Sequence, residues 1–229
     1  MKIAVVYSGS GYLDGAEINE VVATLWALSF HQESGVGVQC FAPDADQHHV
    51  VNHLTGQEKS GEKRNILEEA ARIARGKIKP LSELRESEFD ALIMPGGFGA
   101  AKNLCTFAFE GSKGTVDPEL ANVLRQFRRA EKPIGAACIA PAILALTFKD
   151  TPLEMTVGAG GNESSEIEKL GHRHKTMGVQ DACIDQEHLI VTTPAFMYDD
   201  APLHGIFTGV KKMVDLVVAL VEEKTEASA

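Results

Sequence analysis

Cys138 stands in the run Lys132-Pro-Ile-Gly-Ala-Ala-Cys-Ile-Ala-Pro-Ala-Ile-Leu, where a short apolar strand gives way abruptly to a helix expected to open at Ile139. Such a turn throws a side chain forward and aims the following amides at whatever it attacks. A free thiol titrates near 8.5, and a helix N-terminus favours the thiolate, so a cysteine placed here is expected to react near neutral pH without a metal. Its place at the end of a strand favours this reading over a small cysteine packed behind the sheet.

A thiolate that attacks a carbonyl creates an oxyanion, which backbone amides stabilise best. Gly96 and Gly97, with Gly99 beyond them, carry no side chain to block a substrate, and the Ile139 amide is free at a helix start. Pro95-Gly96-Gly97 reads equally well as a plain sharp turn. Glu17, in the first turn of the first helix, is close enough to the Gly9–Gly11 loop to reach the thiol and relocate a proton. It reads at least as well as a helix-capping partner of Asp14.

These groups are positioned by alternating strands and helices. Lys2–Tyr7, Val36–Phe41, Ala91–Met94, Pro133–Ala137, Glu154–Val157 and Leu189–Thr193 read as strands. Helices are expected from Glu17 to Phe30, with Ile18, Val21, Val22, Leu25 and Leu28 as the buried stripe, and from Ile66 to Ala74. A third follows the Asp117-Pro118-Glu119 cap, and the last spans about Leu203 to Glu222. The alternation predicts an α/β protein: a parallel sheet covered on both faces, forming one domain over 1–224 with a loose tail over 225–229. In such sheets ligands bind beyond the carboxyl ends of the strands, where the loops at Ser8–Glu17, Pro95–Asn103 and Cys138 converge. The polar stretch Asp44–Asn65 is long for a bare connection and is either a lid or an ordered excursion.

Composition narrows the classes. Of 229 residues, 44% are hydrophobic and 24% charged, as in an ordinary globular chain, and the net charge of -10 would repel a nucleic-acid backbone. Cys40, Cys105, Cys138 and Cys183 form no Cys-x-x-Cys pair, which argues against a zinc ribbon and suits a reducing compartment. The opening strand at Lys2 leaves no room for a leader, so a cytoplasmic protein without membrane contact is expected. Gly9-Ser10-Gly11 lacks the third glycine of a dinucleotide loop. The pairs His49/His53 and His172/His174 lack companion ligands and read as ordinary polar residues, so no metal or other cofactor is expected.

The residues resemble the ElbB family, within the PfpI-like branch of the class I glutamine amidotransferase-like superfamily. The match covers nearly the whole chain, including Asp14-Gly15-Ala16-Glu17-Ile18, Asn52-His53-Leu54-Thr55-Gly56, Gly97-Phe98-Gly99-Ala100-Ala101-Lys102-Asn103-Leu104 and Cys138-Ile139-Ala140-Pro141. The resemblance implies a flavodoxin-like three-layer sandwich, usually a homodimer, with Cys138 as nucleophile and Glu17 as its carboxyl partner. It also implies conversion of a small dicarbonyl, glyoxal to glycolate, without glutathione or metal, and a genetic link to isoprenoid synthesis. Ile139 stands where amidotransferase and protease relatives carry histidine, which counts against glutaminase or peptidase activity. Ser10 replaces a cysteine common among ElbB relatives, so no second thiol serves the site. A different class remains open, a redox-sensing or interaction protein in which Cys138 is an oxidisable thiol and turnover is incidental.

Overall fold

Short runs of β-branched and small apolar residues form the strands of the computed structural model, which describes residues 1–227. In chain order the elements are β1 (Lys2–Val6), α1 (Ile18–Gln32), β2 (Gly37–Ala42), β3 (Val51–Asn52), β4 (Gln57–Glu58), α2 (Ile66–Ile73), β5 (Ile78–Pro80), β6 (Ala91–Met94), α3 (Phe98–Lys102) and α4 (Phe107–Glu110). They continue with α5 (Pro118–Arg129), β7 (Ile134–Ala137), α6 (Pro141–Thr147), β8 (Glu154–Met155), α7 (Asn162–Glu168), β9 (Arg173–His174), β10 (Cys183–Asp185), β11 (Ile190–Thr193) and α8 (Leu203–Ala227). Seven strands make the central sheet in the order β10-β11-β7-β6-β1-β2-β5. Only the edge strand β10 runs antiparallel, against β11. Helices flank the sheet, giving the covered parallel sheet expected from the alternation and the flavodoxin-like architecture implied by the resemblance.

Two expected features fall elsewhere. Glu154 and Met155 pair with Arg173 and His174 in a separate two-stranded ribbon rather than joining the central sheet. The last helix runs on to Ala227, so Thr225 and Glu226, expected in a tail, are helical, and the final two residues lie outside the described ones.

The face that α1 buries differs from the one its large apolar residues predict. Buried are Glu20, Val21, Ala23, Thr24, Ala27 and Leu28, whereas Ile18, Val22 and Trp26 are exposed. Small residues let α1 pack closely on α8 and the sheet, and the larger ones are left on the outer surface. In α8 the predicted stripe holds: Ile206, Val210, Met213, Val214, Val217 and Val221 are all buried. Asp117 caps α5 by accepting from the Glu119 and Leu120 amides, with Pro118 at the first position, as the sequence indicates.

The register brings the active loops together. Val5 lies opposite Ile93, and Met94 opposite Ala136, so the segments leaving β1, β6 and β7 emerge at one carboxyl edge. The stretch 44–65 is an ordered excursion rather than an open lid: Val51–Asn52 pairs antiparallel with Gln57–Glu58 and closes down on the loop after β1.

Candidate active site

Cys138 occupies a sharp elbow with φ 58°, a left-handed conformation that costs a non-glycine residue about 1–3 kcal/mol. The surroundings enforce it. The Cys138 amide donates to the Thr193 carbonyl at 2.9 Å, and residues 138–140 form one turn before α6 opens at Pro141, two residues later than expected. A Cβ on Gly96 would lie 2.5 Å from the Cys138 Cβ, so only glycine lets the loop after β6 pass beside the elbow. The Gly97 and Ile139 amides both hydrogen-bond to the Cys138 sulfur and favour its thiolate.

The carboxyl against the sulfur belongs to Glu20, not to Glu17. Glu20 is fully buried and hydrogen-bonded to the thiol, while its Oε2 accepts from the Gly96 amide at 2.8 Å and its Oε1 from the Phe196 amide at 3.1 Å. Gly96 therefore serves the glutamate and offers no amide to a substrate. Glu17 is the N-cap of α1: its Oε2 accepts from the Glu20 amide at 2.7 Å and its Oε1 from the Asn19 side chain at 3.0 Å. Asp14 is not its capping partner, since its Oδ2 accepts from the Val51 amide at 2.6 Å. The geometry thus realises the capping role for Glu17 and puts the carboxyl beside the thiol one helical turn along.

Burial dominates the electrostatics. Desolvation, reinforced by the charge of Glu17, pushes the Glu20 carboxyl up to about 7. Desolvation and then the neighbouring Glu20 hold the Cys138 thiol well above its usual 9, against the two amides that favour the thiolate. Cys138 is only 7% exposed, so the readily ionised surface thiolate expected from a helix start is not what the fold builds. Near neutral pH the pair holds a protonated thiol donating to a half-ionised carboxyl. The acid supplies the base that the thiol needs.

Above the elbow opens a cleft of about 830 Å³ lined by Tyr12, Leu13, Glu17, Asn19, Gly97, Phe98, Cys138, Ile139, Phe196, Met197 and Asp199. No histidine lines it. The Tyr12–Leu13 lip is held from behind by the excursion. His53 Nδ1 donates to the Val51 carbonyl at 3.1 Å, which leaves Nε2 to accept from the Leu13 amide at 3.2 Å. Lys102 donates to the Leu13 carbonyl at 2.9 Å, and Asn103 donates to the carbonyls of Ser8 and Asp14. His53, Lys102 and Asn103, which lie in two of the runs that carry the family resemblance, thus have a common task, fixing one wall of the cleft. His172 is a satisfied core residue bonded to Leu153 and Ala145, and among the described residues no group of three or more His, Cys, Asp or Glu side chains is placed to hold a metal.

A mostly parallel sheet with a cysteine on a left-handed elbow and a buried glutamate against it fits a class I glutamine amidotransferase-like protein. No family model matches the chain. The human glutamine amidotransferase-like class 1 domain-containing protein 3, mitochondrial, is 46% identical over 228 residues, covering 96% of this chain and 83% of that protein. A crystal structure of an isoprenoid biosynthesis protein with amidotransferase-like domain from Ehrlichia chaffeensis is 35% identical with a TM-score of 0.88, covering 96% of this chain and 99% of that one. The ThiJ/PfpI domain protein from Brachyspira murdochii, 16% identical and covering 98% and 96% of the two chains with a TM-score of 0.55, shares the fold. The chain belongs to the class I glutamine amidotransferase-like family that includes the ES1 proteins. The human, rat and zebrafish relatives are all named mitochondrial, which overturns the cytoplasmic placement expected from the opening residues.

Proposed function

We propose that the chain is a cofactor-independent glyoxalase of the ElbB kind, with Cys138 as nucleophile and Glu20 as proton carrier. The observation that carries this reading is the Glu20 carboxyl, buried, poised near neutrality and hydrogen-bonded to the sulfur. Ionised Glu20 takes the thiol proton as sulfur adds to one aldehyde of glyoxal, and that proton passes to the new alkoxide to give a hemithioacetal. Glu20 then removes the hydrogen from the same carbon, forming an enediolate, and returns a proton to the neighbouring carbon. The product is a glycolyl thioester, which water cleaves to glycolate and the free thiol. The net change adds one water to glyoxal, so no external oxidant or reductant is needed. The Gly97 and Ile139 amides, which lie beside the sulfur, are the donors that would stabilise the oxyanion at the carbon bonded to it.

Purified protein incubated with glyoxal is expected to yield glycolate by NMR, and Cys138→Ala is expected to yield none. Equal glyoxal loss in both would refute the role of Cys138. A redox sensor is less well supported, because oxidation proceeds through the thiolate and burial disfavours that form. Glutaminase chemistry lacks a histidine in the cleft. A homodimer is expected as well: Val22, Trp26, Phe30 and Leu203 leave an apolar surface along α1 and α8, beside a groove of about 960 Å³. A solution mass of one 24.6 kDa chain by sedimentation would rule that out.

A further inference from the structure

We propose that the cleft over Cys138 selects neutral or positively charged carbonyl compounds with an apolar body and turns anionic ones away. The inference rests on reading Cys138 as the carbonyl-attacking thiol. Its starting point is a mismatch of size. Glyoxal has four heavy atoms, whereas the cleft, at about 830 Å³, falls in the upper part of the range of about 300–1,000 Å³ typical of sites for much larger ligands. A wall with no task would be free to be polar throughout, yet six of the eleven residues that line this one, Tyr12, Leu13, Phe98, Ile139, Phe196 and Met197, are large apolar or aromatic side chains. Such a surface favours an apolar group attached to the reacting carbonyl.

Charge sets the second half of the inference. The acidic side chains that line the cleft, the thiol and the Tyr12 phenol apart, are Glu17 and Asp199, and no lysine, arginine or histidine is among the lining residues. Glu17 is fixed in place by the Glu20 amide and the Asn19 side chain, so its charge does not swing away. Lys102, whose ammonium lies 4.9 Å from the Phe98 ring centroid, is engaged by the Leu13 carbonyl behind the lip and does not line the cavity. A carboxylate or phosphate on the substrate would lose water here and meet two like charges with no counter-ion. A cationic group would meet those acids and the Tyr12 ring, about half exposed.

The test measures charge selection at the sulfur without relying on turnover. Trimethylammonioethyl and sulfonatoethyl methanethiosulfonates each transfer a thioalkyl group to a thiol, forming a mixed disulfide and releasing methanesulfinate. Their rates at Cys138, read by mass spectrometry of its peptide, give a cation-to-anion ratio to set against that of 2-mercaptoethanol. The expected ratio is ~10 times that of the small thiol at physiological salt, falling ~3-fold with Asp199→Asn and again with Glu17→Gln. A ratio equal to that of 2-mercaptoethanol, or no reaction with either reagent, overturns the proposal. So does a ratio unchanged in both variants, which would assign the preference to the overall charge of -10. Glyoxal turnover in the same preparations separates the two readings: turnover without charge preference leaves the glyoxalase standing alone, and preference without turnover leaves charge selection standing alone.

Discussion

Replacing Glu20 by glutamine is expected to make the protein's stability depend on pH in a way that identifies this carboxyl. In the fold its proton is held up to about 7, against 4.5 in an open chain. Below pH 4.5 both states are protonated and the group contributes nothing. As pH rises from 4.5 to 7 the unfolded chain releases the proton while the folded one keeps it, so folding weakens by about 1.4 kcal/mol per pH unit. Above 7 the penalty is complete, at about 3 kcal/mol. Glutamine carries no such penalty, but its NH2 must face one of the two amides that Glu20 accepts from, at a cost of about 1–3 kcal/mol that does not vary with pH. The difference in stability between variant and wild type should therefore swing by about 3 kcal/mol in favour of the variant between pH 4.5 and 8. Urea denaturation across that range reads it directly, since every other titrating group is common to both proteins.

Activity should move the opposite way. Without a base beside a thiol held well above 9, glyoxal turnover is expected to fall by about 10²–10⁴, the usual worth of a positioned acid–base group. In the wild type, kcat/KM should climb with pH and level off as Glu20 ionises near 7, and Glu20→Gln should lose that limb. Glu17→Gln should cost at least tenfold less in kcat, because its carboxyl caps α1 rather than serving the sulfur. A stability difference that stays flat with pH, or a Glu20→Gln variant retaining more than about a tenth of wild-type turnover, would refute the proton-carrier argument.

Two further substitutions probe the frame of the cleft. His53→Ala removes the acceptor for the Leu13 amide and should cost about 1 kcal/mol of stability, with KM for glyoxal rising more than kcat falls; steady-state kinetics showing the reverse split would remove the lip from substrate binding. Gly99→Ala would place its Cβ 2.5 Å from the Gly15 Cα, a backbone contact that cannot rotate away, so a loss of about 1–3 kcal/mol in urea denaturation is expected, and an unchanged midpoint would contradict the close packing of α3 on the loop.

The course of the chain from strand to helix was legible because buried parallel strands are continuous apolar runs and α5 and α8 carry strong caps or stripes. The position of Cys138 was legible for the same reason, since a cysteine after Ile134–Ala137 and before Pro141 has to sit on the turn. What failed was the assignment of the face of α1. Ranking residues by size put Ile18 and Val22 inside along with Val21, Leu25 and Leu28, and this left Glu20 on the wrong side of the helix. A different signal was present: Glu20, Thr24, Ala27 and Leu28 recur at helical spacing and form a stripe of small residues interrupted by one acid. A close helix contact needs small side chains, and an acid in such a stripe has to find partners in the interior. Those partners, the Gly96 and Phe196 amides and the thiol, come from segments 76, 176 and 118 residues away, and the local pattern carries no trace of them. The capping geometry was readable from the first turn of α1 alone, and the catalytic geometry only from the sheet that brings β6 and β7 beside it. For that reason Glu17 and Glu20, one turn apart, exchange roles between the sequence and the fold.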